Sequence, residues 1–69
     1  MAYVGNQNYA VGDIVFVKKV AKRGTLRALG SFGTILEIEL FFTSEPEYLV
    51  KFSNHMELWF VADQLQVLL

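Results

Sequence analysis

The sequence predicts an all-β domain of five short strands. Three observations carry that expectation: a β-branched opening run, alternating apolar and polar positions through the middle and second half, and turn residues between these segments. Gly12-Asp13 opens the first strand, Ile14-Val15-Phe16-Val17, which is too short for a helix and rich in strand-forming side chains. From Lys18 to Ser31 the pattern gives way to a long basic loop punctuated by Gly24 and Gly30. A short helix from Val20 to Leu29 competes there, at a cost of about 1 kcal/mol for Gly24 in its centre.

Alternation returns from Phe32 to Leu40, where Phe32, Thr34, Leu36, Ile38 and Leu40 share one face and Glu37 and Glu39 turn to the other. A helix would scatter these two sets. Phe41 to Glu47 is a turn region in which Pro46 forbids a continuing central strand. Tyr48, Val50 and Phe52 then alternate with Leu49 and Lys51 in a third strand, and Ser53-Asn54 turns the chain into a fourth. That strand, Met56 to Val61, sets Met56, Leu58 and Phe60 against Glu57, Trp59 and Val61. Ala62-Asp63-Gln64 suits a single 3-10 turn before a last strand from Leu65 to Leu68.

A long loop after the first strand and a 3-10 turn before the last give the order of a small SH3-like five-stranded barrel. Closure would also remove the exposed edges of so apolar a sheet. Residues 1–10 show no sustained period and are expected to form a flexible or loosely docked arm, with residues 11–69 as the barrel. The expected core is Phe16, Leu36, Ile38, Val50, Phe52, Leu58 and Phe60.

Sixty-nine residues make one domain at most, and hydrophobic residues are 54% of them, enough for a dense core with apolar surface to spare. There is no Cys, so the fold has neither disulfides nor a thiolate metal site. No apolar run approaches the ~20 residues of a spanning helix, and the first residues lack the basic and apolar regions of a secretory leader. The net charge is −1, but five of the six basic residues, Lys18, Lys19, Lys22, Arg23 and Arg27, fall within ten positions while most acids follow later. The molecule is therefore expected to be electrostatically two-sided.

Little in the chain points to catalysis or to a cofactor. The only histidine, His55, sits at a hairpin turn with no second ligand at a recognisable spacing, as an ordinary solvated side chain would. Glu37 and Glu39 share a strand face, which a paired-carboxylate mechanism could use but which the polar outside of a sheet explains as well. Gly30-Ser31-Phe32-Gly33 lacks the Lys-Ser/Thr of a phosphate-binding loop.

Binding has better candidates. The Lys/Arg loop can grip an acidic protein, anionic headgroups or phosphates, or can be plain solvated surface. Phe41 and Phe42 occupy successive positions beside the Pro46 turn, so strand alternation points at most one inward and leaves the other either capped by the N-terminal arm or exposed as a candidate partner anchor. Trp59, opposite the Met56 face, either covers the outside of the barrel or joins an interface.

The residues resemble the PetP family, small peripheral subunits of the cytochrome b6f complex with an SH3-like fold. The likeness lies in Gly12 with the strand after it, Gly33-Thr34-Ile35, Val50-x-Phe52, and above all Trp59-Phe60-x-x-Asp63-x-Leu65, together covering about residues 12–66. The middle hairpin departs from that pattern in being aromatic and acidic. The variable chain of ferredoxin–thioredoxin reductase is similar too, through Tyr48-Leu49-Val50, Phe52-Ser53-Asn54 and Leu65-x-Val67.

The PetP resemblance implies a non-catalytic accessory subunit without a cofactor, monomeric in isolation. It would dock by protein contacts on a photosynthetic electron-transfer complex at the cytoplasmic, stromal-side face of the thylakoid. Two alternatives stand beside it: a KOW- or Tudor-like nucleic-acid or ribosome-associated module using the basic loop with an aromatic platform, and a non-catalytic reductase chain.

Overall fold

A computed structural model of the chain describes residues 9–20, 23–40 and 45–68. Five strands, β1 (Ile14–Val17), β2 (Phe32–Glu39), β3 (Glu47–Phe52), β4 (Glu57–Val61) and β5 (Leu65–Val67), form one antiparallel sheet in the order β4-β3-β2-β1-β5. The number of strands, their sequence and the 3-10 turn Ala62–Gln64 before β5 are those expected. The ladder itself stays open, because among the described residues β4 and β5 are not paired and the 3-10 turn bridges them instead.

Local chemistry sets each boundary. Gly12 takes φ 97° in a turn closed by the Asp13 N–H on the Ala10 carbonyl at 3.0 Å, and the Asp13 carboxylate accepts from the Ala10 N–H at 2.9 Å. Within the long basic loop, residues Arg23–Ala28 wind into a 3-10 helix rather than the longer α-helix that Gly24 disfavours. Gly30, at φ 83°, ends it in the left-handed region and donates to the Val17 carbonyl at 2.8 Å, tying the loop back to β1. Ala28 is thereby buried against the core.

The core forms on one face of the sheet from Val15, Val17, Ile35, Tyr48, Val50, Phe52, Phe60, Ala62 and Leu65, with Met56, Leu58 and Val67 packed against it. Val50, Phe52 and Phe60 are buried as expected, and Leu58 is half-buried. Three expectations are corrected. In β1 both faces are apolar, and it is Val15 and Val17 that turn inward while Phe16 is half-buried on the outer face. In β2 the inward residues are Gly33 and Ile35, which pair with the core residues Phe52 and Val50, and a β-bulge between Ile35 and Glu37 then shifts the alternation. Leu36, in the bulge (37% exposed), and Ile38, beyond it (39% exposed), belong to surface, not core.

The β3–β4 turn closes with the His55 N–H on the Phe52 carbonyl at 2.9 Å, while the Asn54 Oδ1 accepts from the Met56 N–H at 3.0 Å. His55 itself sits at φ 71°, a left-handed position that only glycine adopts without steric cost. His55→Gly should therefore stabilise the domain by about 0.5–1 kcal/mol, read as a higher urea midpoint at unchanged slope. A lower midpoint would mean that the imidazole contributes contacts outweighing the strain.

Candidate functional site

Among the described side chains of the basic segment, Lys18, Lys19 and Arg27 do not converge on one spot. Lys18 and Lys19 follow β1 and are pinned by their backbone N–H groups to the Gln64 carbonyl, at 2.9 and 3.4 Å. The Lys19 ammonium lies 3.7 Å from the Asp63 carboxylate. Both side chains are largely exposed, so this ion pair adds at most about 1 kcal/mol. Arg27, in the last turn of the 3-10 helix, instead lines a hollow with Phe32, Asn54 and Met56. Lys22, Phe41 and Phe42 lie outside the described residues, as does the side chain of Arg23.

Trp59 stands on the outer face, opposite the buried Leu49 in the β3–β4 register, and remains 38% exposed. Its position over Leu49 fits a side chain covering the outside of the sheet, with part of it left to solvent. Past the bulge, β2 carries Glu37 and Glu39 outward beside Leu36, Ile38 and Leu40, all of them exposed. Glu39 faces Glu47 directly across the β2–β3 ladder, an arrangement of like charges that weakens a sheet by a few tenths of a kcal/mol or more. The β2–β3 hairpin is therefore an apolar and acidic projection held at some cost to stability.

Tyr9 joins the chain before β1 to the 3-10 turn and the start of β5. Its hydroxyl is shared between the Ala62 and Leu65 carbonyls at 3.1 and 2.9 Å, and its ring meets Tyr48 edge-on with centroids 4.9 Å apart. Burial pushes the Tyr9 hydroxyl above its ordinary value of 10.0, and Tyr48 and Asp63 push it further. Tyr48 is raised in the same way, by burial and then by Glu45.

Both raised values stabilise the neutral phenol in the folded state, so their contribution is complete below about pH 10, where the unfolded chain also keeps its protons. As pH climbs through 10 and on through the folded values, the unfolded chain ionises first and that stability is lost. Urea midpoints should fall between about pH 9 and pH 11, and Tyr9→Phe should flatten part of the fall. A midpoint independent of pH across this window would contradict the burial of both hydroxyls.

The outer face of β1 and β2 carries a feature that alternation alone did not single out. Phe16 and Phe32 face each other across the ladder with ring centroids 5.2 Å apart, and Ile14 is exposed beside them. The available signal was the unbroken apolar run of β1, which must place some side chains on the outside of a one-sided core. Among the described residues no three His, Asp or Glu side chains are grouped to hold a metal ion, and no helix is long and apolar enough to cross a membrane.

No protein-family model matches the sequence, and no curated protein does. The architecture, by contrast, is matched among solved structures. The solution structure of the cyanobacterial cytochrome b6f complex subunit PetP is 24% identical and superposes with a TM-score of 0.75, over 86% of this chain and 78% of that one. The chain shares the fold of the PetP subunit.

Proposed function

We propose that the chain is a non-catalytic accessory subunit that docks by protein contacts on a cytochrome b6f-like photosynthetic electron-transfer complex. Its place would be the cytoplasmic, stromal-side face of the thylakoid membrane. The observation that carries this reading is the fold shared with PetP across most of both chains. The surface supports it: apolar side chains are left exposed along the β2–β3 projection, where a lone soluble domain gains nothing from them.

In this reading the projection is the docking element. Phe41 or Phe42 is the anchor at its tip, Glu45 and Glu47 form the polar rim, and Trp59 lies on the adjoining outer face. The opposed Glu39 and Glu47 would gain from a cationic partner surface, which offsets their mutual repulsion on binding. Lys18, Lys19, Lys22, Arg23 and Arg27 steer the approach rather than forming the contact, consistent with the exposure of the lysines described and the weak ion pair at Lys19.

The test is retention of solubilised thylakoid membranes on the tagged chain. Subunits of the cytochrome b6f complex should co-purify. Phe41→Ala and Phe42→Ala should differ, one lowering the melting temperature and the other leaving it unchanged while weakening retention. Recovery of ribosomes or nucleic acid with a steep salt dependence, and no complex subunits, would replace this reading with the nucleic-acid one.

A further inference from the structure

Phe32 is the most exposed of the described aromatic side chains, at 57%, although it sits in a central strand of the sheet. Two hollows adjoin there. One, of about 310 Å³, is lined by Ile14, Phe32, Thr34 and Lys51; the other, of about 510 Å³, by Arg27, Phe32, Asn54 and Met56. Phe52 and Ser53 border both, so the two form one depression across the Phe32 ring.

The charges that line this depression are both positive. Lys51 is the charged residue of the first lining and Arg27 that of the second, and neither lining contains a carboxylate. Glu57, the neighbour of Lys51 across the β3–β4 ladder, borders neither hollow, and the other carboxylates of β2 and β3 lie beyond the bulge. An aromatic floor with a cation at either end and no carboxylate in its lining is complementary to an extended segment bearing an apolar side chain between carboxylates.

We propose that the Phe16–Phe32 platform is a docking site for an acidic, apolar-anchored peptide segment of a partner protein. The apolar side chain lies on Phe32 beside Ile14, and the flanking carboxylates reach Arg27 and Lys51. This site is on the outer face of β1 and β2, away from the β2–β3 projection, and it does not depend on the membrane-complex reading. Co-purification of that complex therefore neither supports nor overturns it.

The experiment is selection of random short peptides displayed against the whole chain, followed by titration of an enriched peptide into the isotope-labelled protein. Acidic sequences with one large apolar residue should be enriched, and amide shifts should centre on Phe32, Thr34, Lys51 and Ser53. Phe32→Ala should weaken binding at least tenfold, and Arg27→Glu and Lys51→Glu severalfold each, with melting temperatures close to that of the parent. Because Phe32 and Arg27 are exposed and Lys51, though half-buried, lies outside the core, these variants should fold. Enrichment of basic sequences, failure of any sequence to enrich, shifts confined to the β2–β3 projection, or binding only of anionic vesicles or an oligonucleotide would overturn the proposal.

Discussion

Gly33→Ala is expected to destabilise the domain by about 3 kcal/mol or more, because the new methyl group has nowhere to go. A Cβ at this position would lie 2.5 Å from Val50 Cγ1, 2.8 Å from the Lys51 carbonyl oxygen and 3.1 Å from Phe52 Cδ1. The carbonyl belongs to the paired strand and cannot retreat without opening the β2–β3 ladder, in which Gly33 stands opposite Phe52. Val50 and Phe52 are both core residues, so neither can swing aside without displacing its own neighbours. For a domain of this size, each kcal/mol lowers the melting temperature by roughly 4–8 °C, so the loss should be on the order of 15 °C. A melting temperature within a few degrees of the parent would show that the strands are further apart than described.

Phe60→Ala should cost about 3–5 kcal/mol, the range for deleting a buried aromatic ring. The ring is 2% exposed, faces Phe52 edge-on with centroids 6.2 Å apart, and lies opposite Tyr48 across the β3–β4 ladder. Its removal leaves a cavity bounded by strands that cannot collapse into it. Small domains have only about 0.05–0.15 kcal/mol of stability per residue, so the loss takes a large share of the total and the variant should melt far below the parent. Phe32→Ala offers the contrast, because an outer-face ring leaves no cavity, and circular-dichroism melts of the two variants compare the faces of one sheet directly. Equal losses would mean that the faces are not distinguished as described.

The strand boundaries were legible because turn residues mark them: Gly12-Asp13 before β1, Pro46 before β3, Ser53-Asn54 before β4. The choice of face was legible only where polar residues alternate with apolar ones, as from Glu57 to Val61. In β1 four apolar residues in succession give no phase. In β2 the inward position at Gly33 has no side chain to count, and the bulge at Leu36 carries neither glycine nor proline to announce it. Leu36 and Ile38 were for this reason expected inside.

The candidate surface was legible in its chemistry but not in its grouping. The described cations of the basic run fall in two separate settings, because the 3-10 helix carries Arg27 to the Phe32 side while Lys18 and Lys19 stay beside the Gln64 carbonyl. The turn holding His55 was anticipated, whereas its positive φ is a matter of backbone geometry to which a residue name gives little clue.

The hydroxyl of Tyr9 reaches a carbonyl 53 positions further along the chain, and β1 pairs with β5 across a similar separation. Such closures surrender chain entropy before any contact rewards them, whereas the β2–β3 and β3–β4 pairings join neighbouring segments. The three-stranded meander should therefore assemble first and the β1–β5 seam last, which places the seam on the native side of the kinetic barrier. Weakening the seam with Leu65→Ala should speed unfolding and leave the refolding rate nearly unchanged in stopped-flow measurements. A slowed refolding limb would put the seam in the nucleus instead. Late sealing also means that a newly synthesised chain holds Val15 and Val17 only partly covered until Leu65 has emerged, an interval in which chaperone capture competes with completion of the sheet.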